Sequence, residues 1–201
     1  MLQQTPFILA SQSQIRLNML RDSGLDVEAL PARVDEYSVK QAMLARGEPA
    51  RNIADALAEL KAQKIAQKAP QALVLGADQV LVCEGVLFDK PADLYAAREQ
   101  LLQLRNKSHE LLSAAVIFAD GQPAFRHIGR VKLSMRNFSE AYLEDYLAKE
   151  GDGVLQSVGA YKIEGLGVQM FSRIEGDYFS ILGLPLLEIL DFLRVRGLLI
   201  Q

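Results

Sequence analysis

An aspartate interrupts the apolar run Ala72-Leu-Val-Leu-Gly-Ala-Asp-Gln-Val-Leu-Val-Cys83, and a strand buried on both faces carries a charge only for a reason. Other polar residues stand at loop and strand ends or on a helix: Ser11, Ser13 and Arg16 after a first apolar run, Asp35-Glu36 after a second extended stretch, Lys61 on a helix, and Lys90-Pro91. An α/β sheet gathers its ligand at strand ends and helix N-termini, so these groups are expected to converge in one cleft. The set suits a polyphosphate. Serine hydroxyls and the amides that open a helix bind phosphate oxygens. Arg16, Lys61 and Lys90 neutralise charge. The carboxylates, Asp35, Glu36 and Asp78, can hold a hard divalent ion, magnesium or manganese, and activate water.

These residues must be carried by an alternation of strands and helices. Phe7 to Ala10 reads as a strand, and helical spacing through Ile15, Met19 and Leu20 follows until Gly24. Asp26 to Val34 is extended. Asn52 to Lys68 is a long helix with Ile53, Leu57, Leu60 and Ile65 on one stripe, closed by Pro70. After the strand that holds Asp78, Asp93 to Leu104 is helical, and His109 to Phe118 and Ala124 to Met135 form a hairpin about Asp120-Gly121. Ser139 opens a helix that ends at the loop Gly151-Asp152-Gly153. A strand around Val168 to Ile174 and a terminal helix from Leu186 to Val195 complete the chain. The fold class is α/β, with an extended mixed sheet flanked by helices.

Composition narrows the partners. The 201 residues are 50% hydrophobic and 23% charged, with 22 Lys+Arg against 25 Asp+Glu, which describes an ordinary soluble globular protein. One cysteine, Cys83, excludes an internal disulfide framework and any CxxC zinc ribbon, and fits a reducing, cytoplasmic compartment. The N-terminus, with no basic residue before a short apolar core, makes a poor signal peptide. No apolar run reaches the length of a membrane span, and no basic block points to a nucleic acid polymer. A small molecule is the expected partner.

Several common sites fail on spacing. There is no GxxxxGK[ST] and no GxSxG; Gly165-Leu-Gly167 lacks a third glycine; His109 and His127 belong to no metal-binding cluster. His109 reads as a hydrogen-bonded structural residue, His127 as a hairpin residue with nothing beside it, Cys83 as buried packing, and Ser11 and Ser13 also as helix N-caps.

Over nearly its whole length the chain resembles the Maf-type nucleoside triphosphate pyrophosphatases. The resembling blocks are Leu9-Ala-Ser-Gln-Ser-Gln-Ile-Arg16, Val34-Asp-Glu36, Leu57-Ala-Glu-Leu-Lys-Ala62, Gly76-Ala-Asp-Gln-Val80, Lys90-Pro91, Ser108-His109, Gly159-Ala-Tyr-Lys-Ile-Glu-Gly-Leu-Gly167 and Ile174-Glu-Gly-Asp-Tyr through Gly183-Leu-Pro185. The resemblance implies one domain over residues 1–201 with a fold like that of inosine triphosphate pyrophosphatases, with a cleft between two lobes. It implies hydrolysis of a nucleoside triphosphate, with a divalent metal cation, to monophosphate and pyrophosphate, as a house-cleaning activity. Asp78 falls on the proton acceptor; Ser11, Arg16, Glu36, Lys61 and Lys90 fall on positions that hold phosphates and metal. A homodimer is suggested by the resemblance alone.

Three positions linked in the family to the choice of base match Ile15, Gln79 and Glu164. The branch acting on thymidine and uridine triphosphates has Arg, Thr and Gln there, and the 7-methylguanosine triphosphate branch has Trp, Gln and Glu. Gln79 and Glu164 side with the second. A carboxylate accepts from the N1 and N2 hydrogens of guanine, whereas it repels the carbonyls of uracil and thymine at a cost of about 1–3 kcal/mol. Ile15 supplies no aromatic face for a cationic methylated purine, a contact worth about 0.5–2 kcal/mol, and Gln14 replaces the usual proline of the first loop. A guanosine-type triphosphate is the expected substrate. The alternatives are a pyrophosphatase for dTTP or UTP and a non-hydrolysing nucleotide-binding regulator of cell division.

Overall fold

The computed structural model describes residues 5–200; residues 1–4 of the N-terminal stretch weighed as a signal peptide, and the outer ends of the domain expected over 1–201, lie outside them. Pro6 leads into strand β1 (Phe7–Leu9), all three residues buried. Ser13 then caps helix α1 (Gln14–Asp22), its hydroxyl accepting the Arg16 amide at 3.4 Å. Strand β2 (Glu28–Ala29) pairs parallel with β1 over two positions only, Ile8 with Glu28 and Leu9 with Ala29. The longer extended stretch expected here is cut short: Leu30 donates one more bond to Leu9, and Pro31 has no amide to continue the ladder.

Helix α2 (Glu36–Ala45) has no counterpart in the sequence reading. Asp35 is its N-cap, accepting from the Ser38 amide at 3.0 Å, and Glu36 places a negative charge in the first turn. Its apolar residues Tyr37 and Leu44 are exposed and its one buried residue is Lys40, so no inward stripe advertises it. Helix α3 (Ala50–Ala66) buries Ile53, Ala54, Leu57, Ala58, Lys61, Ala62 and Ile65. Strand β3 (Leu73–Cys83) pairs parallel with β1, Phe7 opposite Leu73 and Leu9 opposite Leu75.

Two hairpins follow. Strand β4 (Val86–Phe88) returns along β3, Cys83 opposite Val86, through Glu84-Gly85 with φ of 50° and 81°. Strands β5 (Ser108–Ala119) and β6 (Gln122–Met135) are joined by Asp120-Gly121 at 51° and 73°. Positive φ at both central residues is the turn that matches strand twist. Asp-Gly is a strong signal for it; Glu-Gly is weak, which is why β4 escaped the sequence reading. Helix α4 (Leu94–Leu104) lies between the hairpins, and helix α5 (Glu140–Glu150) follows the second. The chain then takes a 3₁₀ turn at Gly151–Gln156, beyond the loop expected at Gly151-Gly153, and a second at Leu166–Met170. That second turn occupies the first half of the strand expected at Val168 to Ile174, so strand β7 spans Phe171–Glu175. Helices α6 (Tyr178–Ile181) and α7 (Leu186–Val195) end the chain.

The seven strands form one mixed sheet in the order β2-β1-β3-β5-β6-β7, with β4 beside β3, in agreement with the α/β class expected from sequence. The chain divides into two compact units: residues up to 79, 113–129 and from 178 onward, and residues 80–112 with 130–177. In the first, Leu9, Leu20, Leu75, Ile117, Leu184 and Ile189 are fully buried. The second buries Leu101, Leu104, Phe138, Leu143 and Tyr146, with Tyr161 edge-on to Phe171 at 4.9 Å. His109 is a bonded core residue there: Nε2 lies 2.8 Å from the Tyr161 hydroxyl, and burial lowers its pKa to about 4, so it is neutral. His127, in contrast, is not alone, since Glu188 lies 3.7 Å from its Nε2. Among the described residues no helix is long and apolar enough to cross a membrane.

Candidate active site

Alternation along β3 decides what its polar residues meet. Side chains of a strand point to opposite faces in turn, so Gly76 and Asp78 face one way and Ala77 and Gln79 the other. On the first face lies α3. A Cβ built on Gly76 would stand 2.1 Å from the Ala58 carbonyl oxygen and 2.6 Å from the Ala62 nitrogen, so glycine there lets helix and strand approach backbone to backbone. Lys61 sits on that same stripe of α3, and its Nζ reaches Asp78 Oδ1 at 2.7 Å and Glu36 Oε1 at 2.9 Å. Asp78 and Lys61 are both buried, whereas the Glu36 side chain is half exposed.

Burial raises the Asp78 pKa above the ordinary carboxylate value, against the opposing pull of the Lys61 and Arg16 charges, with Glu36 adding to the rise. The group is therefore a stronger base than a surface carboxylate, provided it is ionised. Arg16 is buried too. Its Nε donates to the Gly183 carbonyl at 2.9 Å, and its Nη1 to the Ala77 carbonyl at 2.9 Å and the Ser11 hydroxyl at 3.4 Å. Burial lowers its pKa, while the carboxylates of Asp78 and Glu36 raise it. Ser11 also accepts the Ser13 amide at 3.2 Å, so both serines order the loop between β1 and the N-terminus of α1.

Thus Ser11, Ser13, Arg16, Glu36, Lys61 and Asp78, scattered over the sequence, come together in the first unit. Ile15 is on the exposed side of α1. Gln79 faces away from α3. Its Nε2 donates toward the Ser113 hydroxyl at 2.9 Å and the carbonyls of Ser180 and Ile181 at 3.0 Å each. Two carbonyls can only accept, so the amide nitrogen must face them, and only Oε1 of Gln79 is left for a ligand. Lys90 and Glu164 belong to the second unit, Lys90 in the exposed chain after β4 and Glu164 in the exposed turn before Leu166.

Some residues of this set were not singled out from sequence. Ser113 is a fully buried hydroxyl in the apolar run of β5, the same signal that marked Asp78. Lys40 is buried on α2 one turn beyond Glu36, and an acid four residues before a lysine could have marked that shared face. Nothing local marks the Gly183 carbonyl as the Arg16 acceptor.

The carboxylates of Glu36 and Asp78 meet at one ammonium, and each keeps a second oxygen. One or two carboxylates completed by phosphate oxygens are the donor set that magnesium or manganese takes, so these residues fit such an ion. Among the described residues no group of three or more metal-ligating side chains forms, so phosphate oxygens would have to supply the rest of the coordination. Replacing Lys61 by Met is expected to destabilise the protein by about 3–5 kcal/mol at pH 8, because it strands a buried carboxylate. The deficit shrinks toward pH 4, since Asp78 then takes up a proton in the fold. Urea unfolding at the two pH values reads both; an equal deficit at each would contradict it.

The family model described as Maf-like protein matches residues 6–196. The chain is 55% identical over 192 residues to a nucleoside triphosphate pyrophosphatase of Roseobacter denitrificans, covering 96% of each. It is 51% identical over 187 residues to one of Granulibacter bethesdensis, covering 93% of this chain and 95% of that one.

Proposed function

Because the chain belongs to the Maf-like protein family, we propose that it is a nucleoside triphosphate pyrophosphatase of the cytoplasm, acting as one domain on guanosine-type triphosphates. The observation that carries this reading is the buried Asp78 carboxylate, its basicity raised, bonded to Lys61 beside Glu36 and within electrostatic reach of Arg16. The relatives' shared designation supports the reaction class.

In this reading the triphosphate lies at the loop Ser11 to Ser13, where the N-terminus of α1 favours an anion. Asp78 accepts a proton from water as its oxygen bonds to the α-phosphorus. The bridging bond to the β-phosphate breaks, and its electron pair leaves with pyrophosphate. Lys61 has three N–H donors, two of them on Asp78 and Glu36, and the third meets the developing charge; Lys90 is assigned to the phosphates by the family resemblance alone. Arg16 spends three N–H donors, on Nε and Nη1, on protein oxygens and so holds Ala77, next to Asp78, in place, which leaves Nη2 to meet phosphate oxygens. A magnesium or manganese ion bound by Glu36, Asp78 and phosphate oxygens would neutralise charge on the phosphates. By the same resemblance, Glu164 is assigned to N1 and N2 of a guanine-type base, 7-methylated or not, and Gln79, through Oε1, and Ile15 to the choice of base.

A release assay with GTP, 7-methyl-GTP, dTTP and UTP, with and without chelator, tests this. Monophosphate and pyrophosphate in equal amounts are expected, fastest from a guanosine-type triphosphate and lost with chelator. Release of orthophosphate, or tight nucleotide binding without turnover at saturating metal, would overturn it.

A further inference from the structure

Three side chains of one helix grip the turn that carries Glu164. On α5, Tyr142, Tyr146 and Glu150 recur at intervals of four, which aligns them on one helix face. The Tyr146 hydroxyl is fully buried; it accepts the Lys162 amide at 3.1 Å and donates to the Ala160 carbonyl at 3.4 Å. One turn back, the Tyr142 hydroxyl donates to the Leu166 carbonyl at 3.0 Å. One turn forward, Glu150 Oε2 lies 3.3 Å from Lys162 Nζ, and a Cβ on Gly165 would sit 3.2 Å from Glu150 Oε1. Glu164 lies midway between the anchored residues 162 and 166.

The turn is also held from within. Tyr161 points into the core onto His109, and Ala160 adopts φ of 60°, a conformation that a non-glycine residue keeps only where its surroundings impose it. The Tyr146 pKa is raised mainly by burial, with the Glu150 and Glu164 carboxylates adding to it, so the Glu164 charge is felt at that hydroxyl. Phenylalanine would fill the same apolar space. The hydroxyls are therefore explained by the turn they hold.

We propose that Tyr142 and Tyr146 are positioning residues for base selection, fixing the turn so that the Glu164 carboxylate meets the hydrogen-bonding edge of the base while neither tyrosine touches substrate. This rests on the assignment of Glu164 to the base, and displacement of a recognition group by about 1 Å can cost up to a hundredfold. The test is steady-state kinetics on the full chain with GTP and dTTP, comparing wild type, Tyr142→Phe/Tyr146→Phe and Glu164→Gln. In the double variant the KM for GTP is expected to rise about tenfold with kcat nearly constant, and GTP-over-dTTP selectivity to fall in the direction set by Glu164→Gln. Thermal unfolding of the same samples checks the fold; should the double variant not fold, Tyr142→Phe, at a half-buried position, is read alone. Unchanged selectivity in the tyrosine variant while Glu164→Gln alters it would overturn the positioning role and leave the base assignment standing. Unchanged selectivity in Glu164→Gln would overturn the assignment, and the positioning role with it.

Discussion

Asp78→Asn is expected to lower turnover by about 10²–10⁴-fold, the contribution of a positioned general base, without loss of stability at neutral pH. The two effects have one origin. Burial holds the Asp78 pKa above 3.8 in the fold, so between the unfolded and folded values the native state binds the extra proton. Stability from this group is complete below pH 3.8 and declines as pH rises through the raised pKa, because ionisation there must overcome desolvation. Asparagine avoids that cost, and Lys61 keeps Glu36 at 2.9 Å. The melting temperature of the variant should equal or exceed that of wild type at pH 8, with the difference vanishing near pH 4. Full turnover in the variant would remove Asp78 from the role of base, and its unfolding at pH 8 would overturn the stability argument.

Gly76→Ala has the second largest expected effect, and it acts through the backbone. The added Cβ would meet the Ala58 carbonyl at 2.1 Å and the Ala62 nitrogen at 2.6 Å. Main-chain atoms cannot turn aside as a flexible side chain can, so α3 must move off β3. Overpacking costs of about 1–3 kcal/mol arise where side chains can give; here the cost is expected at or above about 3 kcal/mol, or about 6–12 °C in Tm for a chain of this length. Lys61 lies on the displaced stretch of α3, so its 2.7 Å contact with Asp78 is lost as well and activity falls with stability. Urea and thermal unfolding with a turnover assay measure this. A variant as stable and active as wild type would show that Gly76 does not set the spacing of helix and strand.

Much of the framework was legible because it follows from local patterns. The apolar stripe of α3, the Asp120-Gly121 turn and the terminal helix Leu186 to Val195 emerge from periodicity and turn chemistry alone. Helix α2 did not, since its exposed Tyr37 and Leu44 break the amphipathic pattern, and its signal was the N-cap Asp35 rather than a stripe. The first half of the expected strand at Val168 to Ile174 became a 3₁₀ turn, because a short apolar run alone does not distinguish strand from turn.

The sequence by itself determined the kinds of chemistry at hand: a carboxylate inside an apolar strand, cations at helix and loop positions, and serines opening a helix. Only the tertiary structure decided which of these meet and how their donors are spent. Arg16 is committed to carbonyls 61 and 167 residues away, Gln79 has its amide nitrogen bound to Ser113 and to the C-terminal end of α6, and the turn carrying Glu164 hangs on tyrosines of α5. The physical reason is range. Propensity and periodicity act over a few neighbouring residues, whereas these bonds close long loops of chain and form only once the sheet and its helices have packed.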